Sequence, residues 1–194
     1  MSDAPIEVLL VPGLWNSGPD HWQSHWEAAF PTYKRVIQSD WETPACSAWT
    51  AALEAAVREA DTEVVLAAHS LGCATVAHWA TKKREKGSSP IRGALLVAPS
   101  DVESDNYPPG PTGFSPMPRA RLPFRSIVVA SSNDEYVSLE RAHEFAKAWG
   151  SELVEVGPLG HLNSASALGL WPEGQALLAR LRGDGQHGRT SLQT

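Results

Sequence analysis

Short apolar segments alternate along this chain with segments that carry apolar residues at helical spacing. Each apolar run is bounded by polar residues, glycine or proline and predicts a buried strand; the runs cover residues 6–11, 34–38, 63–68, 91–98, 125–131 and 152–156. Strands that alternate with helices in this way predict an α/β fold. We expect a three-layer α/β/α sandwich in which about six parallel strands are covered by helices on both faces.

The predicted helices have recognisable ends. Pro19 begins the first helix, Ser47 is the expected N-cap of the second, and the third extends to Gly87. Residues 1–182 are therefore expected to form a single domain. The polar, glycine-containing residues 183–194 are expected to form a flexible tail.

Residues 99–123 interrupt the alternation. The segment has no apolar periodicity and is rich in proline. A connection of this length in a compact domain predicts a functional loop over a site. A disordered segment is the alternative, although Tyr107, Phe114 and Met117 favour packing against the rest of the protein.

Charge and residue usage argue against several classes of function. The formal net charge is −6 and no basic cluster is longer than residues 82–84, so neither nucleic acid nor a membrane is expected as a partner. No Gly-x-Gly-x-x-Gly follows the first strand and no Walker-type lysine is present, so no nucleotide cofactor is expected. Two isolated cysteines, the lack of an apolar signal segment and the lack of a membrane-length run predict a cytoplasmic protein.

Three side chains of the kinds that cooperate in nucleophilic catalysis follow predicted strands. Ser70 follows the third strand, Asp134 the fifth and His161 the sixth. Parallel sheets bind ligands outside the carboxyl ends of their strands, so these side chains are expected to meet there. Ser70 also lies between a strand and a helix with the small residues Ala68 and Gly72 two positions away, which is typical of a nucleophile elbow. The alternative is a loop serine with a solvated hydroxyl.

The chain order serine, aspartate, histidine is that of α/β-hydrolase triads. A serine hydroxyl becomes nucleophilic when an imidazole takes its proton, and a carboxylate holds that imidazole in the required tautomer. Ser70, His161 and Asp134 are therefore the expected nucleophile, base and acid. The oxyanion is expected to bind the backbone N–H groups of Leu71 and Leu14, with that of Trp15 as the alternative to Leu14.

Other residues compete for these roles. Asp101 follows the fourth strand and is an alternative acid, and Asp134 has the sequence context of a turn. His69 is expected to point away from the catalytic site because it lies inside the elbow. His21 and His25 have the i, i+4 spacing of a helical zinc pair, but no third ligand accompanies them, so no metal is expected.

A substrate pocket is expected beside the triad. Its predicted lining residues are Trp15, Tyr107, Phe114 and Met117, for which ordinary core packing is the alternative. The chain has eight tryptophans. Most of the others lie on predicted helix faces, where we expect them in the core.

Five stretches of the chain resemble the small α/β-hydrolase family that includes the retinoblastoma-binding protein 9 and bacterial YdeN-type proteins. The matching stretches are residues 12–23, 68–73, 131–137, 160–163 and 169–174, within a resemblance that covers about residues 6–182. The resemblance implies a compact α/β-hydrolase fold without a large lid domain and assigns the triad to Ser70, Asp134 and His161. Ala68 departs from the glycine usual in the wider superfamily, and its methyl group is the least intrusive replacement.

These features predict a metal-independent serine hydrolase. Small carboxylic esters are the expected substrates, with amides or short peptides second, and the reaction would pass through an acyl-enzyme. Acyl transfer to an acceptor other than water is a further option, and an interaction module with little turnover is the alternative from a different class. The Leu-x-Cys-x-Glu signature of retinoblastoma binding is absent, since its nearest match at residues 71–75 lacks the glutamate, so no such partner is expected.

Overall fold

The computed structural model describes residues 6–82 and 90–183. Within them, six strands form one parallel sheet in the order β2-β1-β3-β4-β5-β6. The strands are β1 (Glu7–Val11), β2 (Tyr33–Arg35), β3 (Val64–His69), β4 (Ile91–Val97), β5 (Arg125–Ala130) and β6 (Glu152–Glu155). The helices are α1 (Trp22–Ala29), α2 (Cys46–Glu59), α3 (Leu71–Thr81), α4 (Leu139–Trp149) and α5 (Pro172–Arg182), and a 3-10 turn covers Ser164–Ser166. The predicted three-layer α/β/α sandwich is confirmed.

Helices cover both faces of the sheet because the central strands carry apolar side chains on both faces. All residues of β3 are buried, as the middle of a parallel sheet requires. On one face α2 and α4 pack through side chains such as Trp49 and Phe145. On the other face α1 and α5 pack through Trp26 and Leu178. Six tryptophans are buried, as expected for the core: Trp22, Trp26, Trp49, Trp79, Trp149 and Trp171.

The first helix begins later than predicted. α1 starts at Trp22 rather than at Pro19. His21 keeps extended backbone angles, and its Nδ1 accepts a hydrogen bond from the Gln23 N–H at 3.1 Å. An imidazole therefore caps this helix in place of the usual short polar side chain.

The second helix also differs from the prediction at its start. α2 begins at Cys46 without a side-chain cap, so Ser47 lies inside the helix. α3 ends at Thr81, and its predicted continuation over residues 83–87 lies outside the described residues, as do residues 184–194 of the predicted tail. No helix in the described part of the chain is long and apolar enough to cross a membrane.

The proline-rich connection between β4 and β5 is held to α4 by ion pairs. The Arg141 guanidinium donates hydrogen bonds to the Asp101 carboxylate at 2.7 and 2.9 Å and to Glu103 at 2.6 Å. Phe114 and Met117 anchor the same connection in the hydrophobic core, where each is 2% exposed. The segment is therefore packed rather than disordered.

Gly72 lies where α3 approaches the end of β1 most closely. A Cβ built on this glycine would lie 2.2 Å from the Val11 carbonyl oxygen and 2.7 Å from that of Pro12. Because both neighbours are backbone atoms, we expect Gly72→Ala to lower the free energy of unfolding by at least about 2 kcal/mol in urea titrations. Gly18→Ala is the matched control, since nothing lies within 4 Å of the added methyl group, and it should change stability by less than about 0.5 kcal/mol. Equal stability of the two variants would contradict this packing.

Candidate active site

Ser70 occupies the turn between β3 and α3. Its φ of 55° and ψ of −124° lie in a region that residues with a side chain rarely adopt. The turn packs against the loop after β1, where a Cβ on Gly13 would lie 2.6 Å from the Ser70 Cβ. The Ser70 N–H donates to the Val97 carbonyl oxygen at 3.0 Å, which ties the turn to the end of β4. The serine is therefore held at the carboxyl edge of the sheet by two neighbouring strands.

The structure brings together the three residues predicted to form the triad. His161 Nε2 lies 2.9 Å from the Ser70 Oγ, and His161 Nδ1 lies 2.9 Å from both carboxylate oxygens of Asp134. The Asp134 side chain has no exposed surface and also accepts the Tyr136 N–H at 2.8 Å. A buried carboxylate that accepts from Nδ1–H leaves the Nε2 lone pair directed at the serine hydroxyl.

Asp101, the alternative acid, is paired with Arg141 instead of His161. Its carboxylate accepts two hydrogen bonds from Arg141, and its backbone N–H donates to the Tyr136 carbonyl oxygen. It therefore holds the connection between β4 and β5 against α4, while Asp134 contacts the imidazole.

The loop that carries His161 is fixed by polar side chains that sequence reasoning missed. The Asn133 side-chain oxygen accepts the Gly160 N–H at 2.7 Å, which joins the loop after β5 to the loop after β6. On the other side, the Trp22 indole N–H donates to the Leu162 carbonyl oxygen at 3.0 Å. These bonds flank the histidine and hold it over Ser70. Asn133 directly precedes the predicted acid Asp134 in the sequence, but no local sequence pattern indicates that its side chain binds the Gly160 N–H.

Ser100 is a further site residue that sequence reasoning missed. Its hydroxyl oxygen lies 2.7 Å from the Ser70 Oγ, and the residue is only 1% exposed. Because the Ser70 proton is directed at His161 Nε2, Ser100 is the donor in this pair. Its position after β4 could have identified it as a candidate, because Ser70 and Asp134 also follow strands.

The two backbone groups predicted to bind an oxyanion are available. Among the described residues, no hydrogen-bond acceptor is found for the N–H of Leu14 or for that of Leu71. The Trp15 N–H, by contrast, donates to the Trp41 carbonyl oxygen at 2.8 Å. The geometry thus favours Leu14 over Trp15 in this role.

Two further histidines lie beside the triad. The ring of His69 lies 4.9 Å from that of His161 and 4.7 Å from that of His21, and its Nε2 bonds the His161 carbonyl oxygen at 2.8 Å. The prediction that His69 points away from the site is wrong, because the extended backbone of β3 aims it at the loop after β6. Burial lowers the pKa of His69 well below its usual range. Burial and the nearby Arg35 lower the pKa of His21 to about 3.

A cavity of about 250 Å³ opens onto Ser70 and His161. Trp15 and Tyr107 line it, as predicted. Phe114 and Met117 do not, and that part of the prediction is wrong: both side chains turn inward from the long connection and fill the core beneath it. Further lining residues are His21, His69, Ser100, Tyr136, Asn163 and Ser164. In the described residues 6–82 and 90–183, no group of three or more metal-binding side chains is arranged to hold a metal ion.

Solved structures share this architecture. A crystal structure described as that of a YdeN-like hydrolase from Pectobacterium atrosepticum is 32% identical and superposes with a TM-score of 0.81, covering 92% of this chain and 91% of that chain. The ydeN gene product of B. subtilis is 16% identical with a TM-score of 0.70, over 92% and 100% of the two chains. A thermophilic esterase from Thermogutta terrifontis is 16% identical with a TM-score of 0.64, over 93% and 91%. The last two show similarity of fold alone.

Comparison at the level of sequence families agrees with these structures. A search of curated proteins finds no significant match. A family model described as serine hydrolase matches residues 8–180. The resemblance to YdeN-type proteins is confirmed, as is a hydrolase of compact α/β-hydrolase fold. The chain therefore belongs to the serine hydrolase family.

Proposed function

We propose that this protein hydrolyses small carboxylic esters through a Ser70-His161-Asp134 triad and an acyl-enzyme. The observation that carries the proposal is the continuous chain of hydrogen bonds from the buried Asp134 carboxylate through the imidazole to the Ser70 hydroxyl. A binding module without turnover does not need this series of hydrogen bonds, whereas general-base catalysis requires it.

The first half of the reaction acylates Ser70. His161 Nε2 takes the hydroxyl proton as the Ser70 Oγ attacks the ester carbonyl carbon, and Asp134 stabilises the imidazolium that forms. The negative charge moves to the carbonyl oxygen, where the free N–H groups of Leu14 and Leu71 are the proposed donors. When the C–O bond to the alcohol breaks, the imidazolium gives its proton to the leaving oxygen.

The second half releases the acid. A water molecule replaces the alcohol beside His161, gives a proton to Nε2 and attacks the acyl carbon. The Ser70 Oγ then leaves and regains its proton from the imidazolium. Esters are the favoured substrates and amides or short peptides come second. The same acyl-enzyme would serve transfer to another acceptor.

Replacement of Ser70 tests the proposed nucleophile. We expect Ser70→Ala to abolish labelling by a fluorophosphonate probe and to lower kcat for p-nitrophenyl butyrate by at least about 10,000-fold. Ser39→Ala is the matched control because Ser39 is exposed and far along the chain from the site residues, and both activities should persist. Labelling or turnover that survives in the Ser70 variant would refute the proposal.

Ser100 provides a second test because it contacts the attacking atom. With one Oγ lone pair accepting from Ser100 and the proton directed at His161, the remaining lone pair is the one available to a substrate. We expect Ser100→Ala to lower kcat about tenfold with little change in KM, the effect of one lost hydrogen bond.

The conservative variant separates this positioning effect from a loss of packing. Ser100→Thr keeps the hydroxyl group and should recover part of the lost kcat. Steady-state kinetics on p-nitrophenyl butyrate measure both variants, with urea titrations to compare their stability. A wild-type kcat in Ser100→Ala would show that the contact does not position the nucleophile.

A further inference from the structure

One tryptophan of the chain takes no part in its core. Trp15 is 58% exposed, and among the described residues its indole contacts no other aromatic ring. Trp15 also lines the cavity that opens onto Ser70. Every other tryptophan packs against a second ring: Trp22 with Trp26, Trp26 with Trp171, Trp41 with Trp49, Trp79 with Phe124, and Trp149 with Phe145. The apolar surface of the Trp15 indole is therefore left uncovered beside the proposed nucleophile.

The backbone at Trp15 is strained. Its φ is 63° and that of Asn16 is 65°, a left-handed conformation that disfavours a large side chain. Neither this strain nor an exposed indole stabilises the fold, and strain of this kind is concentrated at functional sites. The Trp15 N–H is already bound to the Trp41 carbonyl oxygen at 2.8 Å. The side chain is therefore the part of Trp15 that is left to serve a function.

Side chains from other elements hold the turn that carries Trp15. The Arg35 guanidinium, only 8% exposed, donates to the Asn16 side-chain oxygen at 2.7 Å and to the Ser17 carbonyl oxygen at 2.8 Å. Arg35 is also paired with Glu27 of α1 at 2.7 Å. The turn is thus fixed before any ligand binds, which reduces the entropy that binding costs.

The chemistry of the cavity limits what packs on this indole. None of its described lining residues is Asp, Glu, Lys or Arg. An ammonium group binds the face of an indole, but here it would give up hydration without a counter-ion. An uncharged aromatic ring has no such cost, and it stacks on an indole in geometries that a saturated ring does not share. Trp15 therefore favours an uncharged aromatic ring.

We propose that Trp15 is a specificity-determining residue, and that the substrate is an ester whose uncharged aromatic ring packs on its indole. The ring belongs to the acyl or to the alcohol part of the ester. The inference rests on the proposed function and names the substrate class of the same site. Ser70 and His161 act on the ester group with or without the ring, so Trp15 affects how tightly the substrate binds.

Pairs of esters that differ only in the saturation of one ring test the proposal. The acyl series compares methyl 3-phenylpropanoate with methyl 3-cyclohexylpropanoate, and the alcohol series compares benzyl acetate with cyclohexylmethyl acetate. Each ratio of kcat/KM, measured by titration of the released acid, is divided by the ratio for hydrolysis by hydroxide, which removes differences in intrinsic reactivity. We expect about a fivefold preference for the aromatic ring in at least one series. That series identifies the part of the substrate that carries the ring.

Variants at position 15 assign the preference to the indole. Trp15→Leu keeps an apolar side chain without an aromatic ring, so the ratio should fall to about one. The loss should appear in KM with kcat changed less than about twofold, because the ring is bound equally in the ground state and the transition state. Trp15→Phe should retain part of the preference. Leu170→Ala is the matched control, since Leu170 is 51% exposed and is not among the residues that line the cavity.

The outcomes separate this inference from the proposed function. Wild-type protein that hydrolyses both members of each pair through Ser70 without an aromatic preference would overturn the inference alone. So would a preference that survives in Trp15→Leu, or a higher corrected kcat/KM for acetylcholine than for its uncharged isostere 3,3-dimethylbutyl acetate. If Trp15→Leu does not fold in urea titrations, Trp15→Gly, which suits the left-handed backbone, takes its place. Wild-type protein that neither reacts with fluorophosphonate nor cleaves any ester would overturn the proposed function itself.

Discussion

Backbone packs directly on backbone where the loop after β1 meets the turn at Ser70, and the rest of the site depends on this contact. Gly13 and Gly72 leave no room for a Cβ there, which brings the Leu14 N–H near the turn and starts α3 immediately after the serine. The strained backbone of Ser70 is tolerated because buried strands on both sides hold it. The same contact thus positions both the proposed nucleophile and the proposed oxyanion donors.

Each hydrogen bond in the site fixes which atom is donor and which is acceptor in the next bond. The Asp134 carboxylate fixes the proton on His161 Nδ1, which orients the Ser70 hydroxyl and leaves Ser100 as a donor. The two histidines beside these hydrogen bonds, His69 and His21, have lowered pKa values because they are buried. None of the described residues that line the cavity is Asp, Glu, Lys or Arg.

The tryptophans connect the helices to the loops that carry the site. Their indole rings fill the core, and their N–H groups reach backbone carbonyl oxygens in connections: Trp22 to Leu162, Trp26 to Leu170, Trp49 to Asp40 and Trp149 to Pro118. Each such residue contributes apolar burial and one directed bond. Loops that lack secondary structure of their own are thereby fixed relative to the sheet.

Residue patterns alone are enough to predict the layers of the fold and the convergence of Ser70, Asp134 and His161. Apolar periodicity is a local property, and parallel strands bring their carboxyl ends to one edge whatever the side-chain details. Four features are visible in the folded protein alone: the contact between Ser70 and Ser100, the burial of Phe114, the direction of the His69 ring, and the hydrogen bond of His21 at the start of α1. Those depend on contacts between segments far apart in the chain, which residue spacing does not encode.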